Sequence, residues 1–221
     1  MKVVCYYAAV PGAHPHCEPS DYDKLWPVMQ ESVEKQGYEL IHLTGPDEPA
    51  RCDNVFRTVI RPETVMFSRE LAWLDYLRSI DNDDEQIVLV EPDAFLLRPI
   101  PPLQHGDMML LHRPGKSLPS GFRLCTRKAI PFYEAVVQNY RSYGFADKVF
   151  HGDVKVQHAL LGLGPRGAVN IPRSCRGVRI EVRDWLDYTS KLWRNAIAWN
   201  FKGTSKHIML EMAKGNMPRL R

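Results

Sequence analysis

Two kinds of apolar run alternate through the first half of this chain. "KVVCYYAAV" (2–10) is β-branched and aromatic and stops at Pro11-Gly12, which predicts a buried strand. "SDYDKLWPVMQESVEKQGY" (20–38) places Leu25, Val28, Met29 and Val33 on one helical face. Ser20 or Asp21 serves as its cap, Pro27 falls near its beginning and Gly37 stops it. "ELIHLTG" (39–45) predicts a second strand and "RTVI" (57–60) a third. "PETVMFSRELAWLDYLRSI" (62–80) then carries Val65, Met66, Leu71, Leu74 and Leu77 at helical spacing. After the polar turn "DNDDE", the unbroken apolar run of "QIVLV" (86–90) has the character of a parallel strand covered on both faces. Strand and helix in alternation predict an open α/β sheet with right-handed crossovers.

The second half is less regular. "DMMLLHRP" (107–114) and "GFRLCTR" (121–127) predict strands, and "KAIPFYEAVVQNYRSYG" (128–144) a helix closed by Gly144. "GDVKVQHALLGLG" (152–164) predicts a short helix with Val156, Ala159 and Leu160 inward, and "GVRIEVRDW" (177–185) an alternating strand. A glycine-bearing loop leads to a C-terminal helix from about Ser205. With no internal repeat and no long linker, one unit over residues 1–221 is expected, with a small antiparallel portion in its second half.

Composition narrows the classes. An apolar fraction of 44% with 25% charged residues argues against wholesale disorder, and no apolar run nears the roughly 18 residues that span a bilayer. The first apolar run holds two tyrosines and lacks a small-residue cleavage pattern, so it reads as a strand and not a signal peptide. Five scattered cysteines without C-x-x-C spacing point to a reducing, cytoplasmic setting. His14, His16 and Cys17 lack a fourth ligand and read as a solvated loop. The net charge of +3 gives no global polyanion binder, but basic residues outnumber acidic ones from Arg166 onward.

Two stretches carry candidate chemistry. "IVLVEPDAFLLRPI" (87–100) sets Glu91 and Asp93 at the end of a buried strand, held apart by a proline that fixes the turn. In an open parallel sheet such strand ends are where ligands bind, and two close carboxylates call for a cation, such as a hard divalent ion shared with substrate phosphates. "WNFKGTSKH" (199–207) offers a glycine for close backbone approach, the free amides of a helix start, and Lys202 and Lys206, which together suit a diphosphate. Trp199, beside that loop, is a candidate for stacking on sugar or base. Arg69 reads either as a surface helix arginine or as a phosphate contact, and Asp153 as a helix N-cap.

Taken together, these pieces resemble the GT-A nucleotide-sugar glycosyltransferases of the glycogenin and lipopolysaccharide-galactosyltransferase group. The resemblance runs through "FSRELAWLDYL", "QIVLVEPDAFLLRPI", "PSGFRLCTRKAIPFYEAV", "HGDVKVQHALL" and "NFKGTSKH", over about residues 1–210. It implies a Rossmann-like GT-A sheet, with a nucleotide-binding half at 1–103 and an acceptor and sugar half at 104–221. It implies Asp93 as ligand of a Mn2+ or Mg2+ ion bridging the donor diphosphate, with Glu91 on ribose or the ion and Asn200 in the place of the family's metal-binding histidine. Tyr7, Ala8 and Ala9 would face base and ribose, Arg69 the donor phosphate or sugar, and Ser120 and Gly121 the donor-sugar pocket. The Gly203 backbone and Lys206 would hold the diphosphate, and Asp153 would sit by sugar and acceptor. The donor implied is a nucleotide sugar, UDP-sugar favoured, and the configuration leans to retention. Three functional readings stand open: transfer to a glycan, transfer to a hydroxymethylated base in DNA with Arg166, Arg173, Arg176, Arg179 and the terminal arginines on phosphates, and a nucleotide- or glycan-binding domain without turnover.

Overall fold

The structure, a computed structural model, describes residues 1–7, 19–61, 64–112, 121–147, 152–164, 170–184, 188–189, 192–201 and 205–219. Ten strands are described: β1 (Lys2–Tyr6), β2 (Glu39–Thr44), β3 (Val55–Arg57), β4 (Ile87–Val90), β5 (Ala94–Leu96), β6 (Met108–His112), β7 (Phe122–Cys125), β8 (Ser174–Cys175), β9 (Val178–Asp184) and β10 (Ala198–Asn200). The helices are α1 (Pro19–Lys35), α2 (Val65–Arg78), α3 (Ile130–Ser142), α4 (Asp153–Leu160) and α5 (Lys206–Ala213).

Eight strands form one mixed sheet in the order β3-β2-β1-β4-β7-β6-β9-β8, and β10 with β5 makes a second, antiparallel pair. The pairs β1–β2, β1–β4, β2–β3 and β6–β9 are parallel, while β7 runs antiparallel to both β4 and β6. Central strands are apolar on both faces because each face has its own layer. Val4, Tyr6, Ile87, Leu89, Met108 and Leu110 pack with α2, α3 and α4. The alternate positions Val3, Cys5, Val88, Val90, Met109 and Leu111 pack with α1, α5 and β10. The period of two along each strand thus feeds two cores.

Several expectations need correction. Pro27 lies inside α1, not near its beginning. Packing of Leu25, Trp26, Met29 and Val33 holds the helix although proline removes one ladder N–H. β3 begins two residues before "RTVI". On α2 the buried set is Phe67 to Glu70, Ala72 to Leu74, Tyr76 and Leu77, whereas Val65, Met66 and Leu71 are only half-buried. The helix is covered almost all round, by the sheet on one side and α3 on the other. On α4, Val156, Gln157 and His158 are buried, while Ala159 is exposed and Leu160 half-buried. The short strands β5, β8 and β10 have no separate signature in the sequence. Among the described residues no helix is long and apolar enough to cross a membrane.

A histidine lies inside the core on the α1 side. His42, in β2, is fully buried beside Trp26, with ring centroids 4.6 Å apart, and its Nδ1 accepts the Arg51 N–H. Burial first, and the Arg51 charge second, push its pKa down to about 4 from 6.5. The unfolded chain therefore takes up a proton between pH 6.5 and 4 that the folded chain refuses, so this contribution is complete above pH 6.5 and is lost as pH falls. At pH 5 the loss amounts to about 2 kcal/mol. His42→Gln, which keeps an acceptor for Arg51, is expected to lose less stability than the parent between pH 7.5 and 5 by about that amount in urea unfolding.

Candidate active site

Strands β1 and β4 are adjacent and parallel, and the chain leaves β1 toward β2 on one side while β4 lies on the other. Their carboxyl ends meet at a topological switch point, the place where open α/β sheets bind ligands. The Glu91-Pro92-Asp93 turn lies there and is clamped by its backbone. Glu91 N–H donates to Gly121 O at 3.3 Å, Ala94 N–H closes back to Glu91 O at 3.1 Å, and Phe201 N–H donates to Asp93 O at 2.8 Å. Directly after the turn, β5 pairs with β10 so that Ala94 faces Asn200. A proline within so fixed a loop leaves the two carboxylates little freedom.

Asp93 and Lys206 meet in this corner. Lys206 is the first residue of α5, and its Nζ lies 2.9 Å from Asp93 Oδ2, with both side chains 4% exposed. The ammonium also stands 5.4 Å from the centre of the Tyr22 ring on α1. The thiol of Cys5, at the end of β1, is pushed up by burial and then by the Asp93 and Glu91 charges, which shows that both carboxylates bear on the same strand end.

A second cluster lies on the α2 side. Arg69 is 1% exposed and is ringed by carboxylates: Nη1 pairs with Glu91, Nη2 lies 2.7 Å from Glu70 and 3.8 Å from Asp153. Burial opposes its charge, but Glu91, Glu70 and Asp153 outweigh burial and hold its pKa well above the ordinary arginine value. Glu70 also receives Arg123 of β7 in a bidentate pair at 2.8 and 3.1 Å. Both guanidinium groups lie over the Trp73 ring, at 4.7 and 4.9 Å. The cluster reaches α4 through Asp153. Its preceding residue, Gly152, has φ +104° and lies so close to Phe145 that an added Cβ would come within 2.7 Å of it, so glycine is required for α4 to start there. Gly152 is the N-cap and Asp153 the first helical residue, which replaces the N-cap reading of Asp153.

The structure brings together only some of the residues proposed from sequence. Asp93 meets Lys206, Arg69 meets Glu91 and Asp153, Glu91 and Asp93 share one turn, and Gly121 contacts that turn through its carbonyl. Arg69 is not a surface arginine, since its fork is engaged by carboxylates. Tyr7 is buried under Arg51, 4.3 Å from its ring centre, and its hydroxyl donates to Asp23 at 3.1 Å. Trp199 is core: it is 0% exposed, stacks on Phe95 at 5.7 Å and donates from Nε1 to Trp193 O, because alternation along β10 turns it into the α1–α5 layer. Ala8, Ala9, Ser120 and Gly203, and the His14, His16 and Cys17 loop, lie outside the described residues. Arg179 is forked onto Asp107 at 2.8 and 3.1 Å. Sequence reasoning missed Glu70 and Arg123. Their signal was a charge inside an otherwise apolar stretch, "SRELAWL" and "GFRLC".

Three cations, Arg69, Arg123 and Lys206, face four carboxylates, Glu70, Glu91, Asp93 and Asp153. The oxygens present suit a hard divalent ion. Asp93 supplies a carboxylate, and Asn200 Oδ1, on the neighbouring strand, is a buried acceptor without a hydrogen-bond partner among the described residues. No group of three His, Cys, Asp or Glu able to hold a metal occurs among the described residues, so phosphate oxygens or water would have to complete such a shell.

The sheet order and its flanking helices are those of the GT-A glycosyltransferase fold. A glycosyltransferase involved in the glycosylation of the major capsid of PBCV-1 superposes with a TM-score of 0.62 at 14% identity, over 96% of this chain and 98% of that one. The galactosyltransferase LgtC, solved with donor and acceptor sugar analogs, gives 0.59 at 11% identity, over 99% and 98%. The glycosyltransferase GlyE of Streptococcus pneumoniae gives 0.62 at 9% identity, and the match spans 96% of this chain but 60% of that one. At these identities the likeness is one of fold. No protein-family model and no curated protein sequence matches the chain.

Glu70 joins α2 to β7 beneath the site. Glu70→Gln is expected to cost about 3–5 kcal/mol in denaturant unfolding, since it leaves two buried guanidinium groups short of a carboxylate. Glu134→Gln, which breaks the exposed pair with Arg78, should change stability by less than about 1 kcal/mol.

Proposed function

We propose that this chain transfers a sugar from a nucleotide-diphosphate sugar, with UDP-sugars the first candidates, to a carbohydrate hydroxyl. The observation that carries the reading is one turn at the switch point of a GT-A sheet whose two carboxylates hold Lys206, through Asp93, and Arg69, through Glu91. Cleavage of the sugar–phosphate bond leaves a diphosphate with growing negative charge. A cation fixed in a water-poor corner stabilises that charge more in the transition state than before it. Lys206 is the residue that meets the diphosphate. A divalent ion, Mn2+ or Mg2+, would be held by Asp93 and Asn200 Oδ1 and would act as a Lewis acid on the phosphate oxygens.

Arg69 works one layer deeper than the donor. Its guanidinium is covered while its partners Glu91 and Asp153 stay partly exposed, at 19% and 17%, so it positions those two carboxylates toward the cleft. Asp153 then faces the sugar as an anion able to support an oxocarbenium-like centre or to take the acceptor's proton. Glu91 is the group placed to accept hydrogen bonds from ribose hydroxyls. The acceptor is assigned to carbohydrate, in line with the acceptor sugar analog bound to LgtC. A DNA acceptor would draw on phosphate contacts, and one of the arginines offered for it, Arg179, is already engaged by Asp107.

A panel of nucleotide sugars assayed with Mn2+ tests the class. One donor should raise the melting temperature and be slowly hydrolysed, and silence across the panel would overturn the reading. Asp153→Asn is expected to lower turnover by about 100-fold or more with donor affinity little changed. A proportional loss of donor affinity instead would place Asp153 in donor binding. Asp93→Asn suits the metal question better than alanine, because its amide oxygen keeps an acceptor for the buried Lys206 ammonium.

A further inference from the structure

We propose that Lys206 is an internal stand-in for the cation at Asp93. Its ammonium neutralises that carboxylate while no donor is bound. When donor and divalent ion arrive, it moves to the diphosphate and yields Asp93 to the ion. This rests on the donor-binding reading above and assigns Lys206 a second duty within it, as the metal's competitor.

Three observations support the exchange. The Asp93–Lys206 pair is almost fully buried and 2.9 Å apart, so the carboxylate cannot stand without a counter-charge, and whatever takes it must first displace the ammonium. Lys206 is the first residue of α5, so its four-methylene stem reaches Asp93 from a backbone that the helix fixes. An ammonium also holds a carboxylate as a point charge and not in a rigid fork. Asn200 Oδ1, on the strand paired with β5 directly after the Asp93 turn, has no hydrogen-bond partner among the described residues, and it is an oxygen of the kind a hard cation takes. Arg69 cannot play this part, because Glu91, Glu70 and Asp153 hold it from three elements.

The exchange has a thermodynamic signature. Lys206 competes with the ion in the nucleotide-free protein and assists it once a diphosphate is present. Ion and nucleotide should therefore tighten one another reciprocally, while the ion alone binds weakly because the competent state of Asp93 is scarce.

The test measures Mn2+ binding to the full chain without nucleotide, by calorimetry and by the loss of the free-ion electron spin signal, and UDP binding at saturating Mn2+. Lys206→Met is expected to bind Mn2+ about tenfold or more tighter than the parent in the absence of nucleotide, and to bind UDP about tenfold more weakly. Mn2+ should also raise the melting temperature of Lys206→Met more than that of the parent, since the ion replaces the missing ammonium. Lys206→Gln, which keeps a donor for Asp93, should fall between the two. Mn2+ affinity that is unchanged or weaker in both variants overturns the proposal, as does a loss of folding that Mn2+ does not relieve. A parent protein that binds no nucleoside diphosphate with Mn2+ present overturns the glycosyl-transfer reading instead, and leaves the competition between Lys206 and Mn2+ to be judged by the nucleotide-free titration.

Discussion

The arrangement of this protein depends on neutralising carboxylates that lie in a poorly solvated interior. Arg69 does most of this, since one guanidinium ties its own helix to the end of β4 through Glu91 and to the start of α4 through Asp153, while Glu70 carries the tie on to β7. Breaking any such link leaves an uncompensated charge, which costs more than the link itself contributes. The four elements that meet there are therefore held in one relation to each other, and so is the Glu91-Pro92-Asp93 turn.

Two cations with different chemistry divide the work. The planar fork of arginine is suited to holding several carboxylates at once in fixed directions, and the buried Arg69 fills that role from below. The lysine of α5 is a single point charge on the opposite side of the turn, next to the short β5–β10 pair. The transfer proposed above would use both: groups that do not shift while bonds change, and a charge beside the leaving group.

Much of the sheet was legible in the sequence because a strand covered on both faces must be apolar throughout, as in "QIVLV". Once that strand is placed, the E-P-D turn that follows it falls at the sheet edge where ligands bind. The juxtaposition of Asp93 with Lys206 also followed from the motif order. What was not legible depends on partners distant in sequence. Arg69 read as a surface or donor-facing residue because nothing local reveals that Glu91 and Asp153 converge on it. Arg123 and Glu70 look like ordinary polar residues until β7 is laid against β4 with α2 above. Trp199 read as a stacking platform because it neighbours the glycine loop, but its direction is set by the pairing of β10 with β5, three residues that carry no periodicity of their own. Pro27 misled by its usual preference for first turns, which tertiary packing overrode.

The bidentate contact between Arg123 and Glu70 has a consequence for how the sheet is assembled. β7 enters antiparallel beside β4, with Val88 opposite Leu124 and Leu89 opposite Arg123. Phe122 and Leu124 face the α1–α5 layer, while Arg123 and Cys125 face the α2–α3 layer. Sliding this short strand by a single position would drive the guanidinium into the α1–α5 layer, away from Glu70, and send a phenylalanine or leucine against Glu70. Greasy contacts alone would tolerate such a slip, since both layers accept large apolar side chains. One charged pair thus works as a locating key, making the slipped alignment prohibitive at the strand whose Gly121 carbonyl sets the turn.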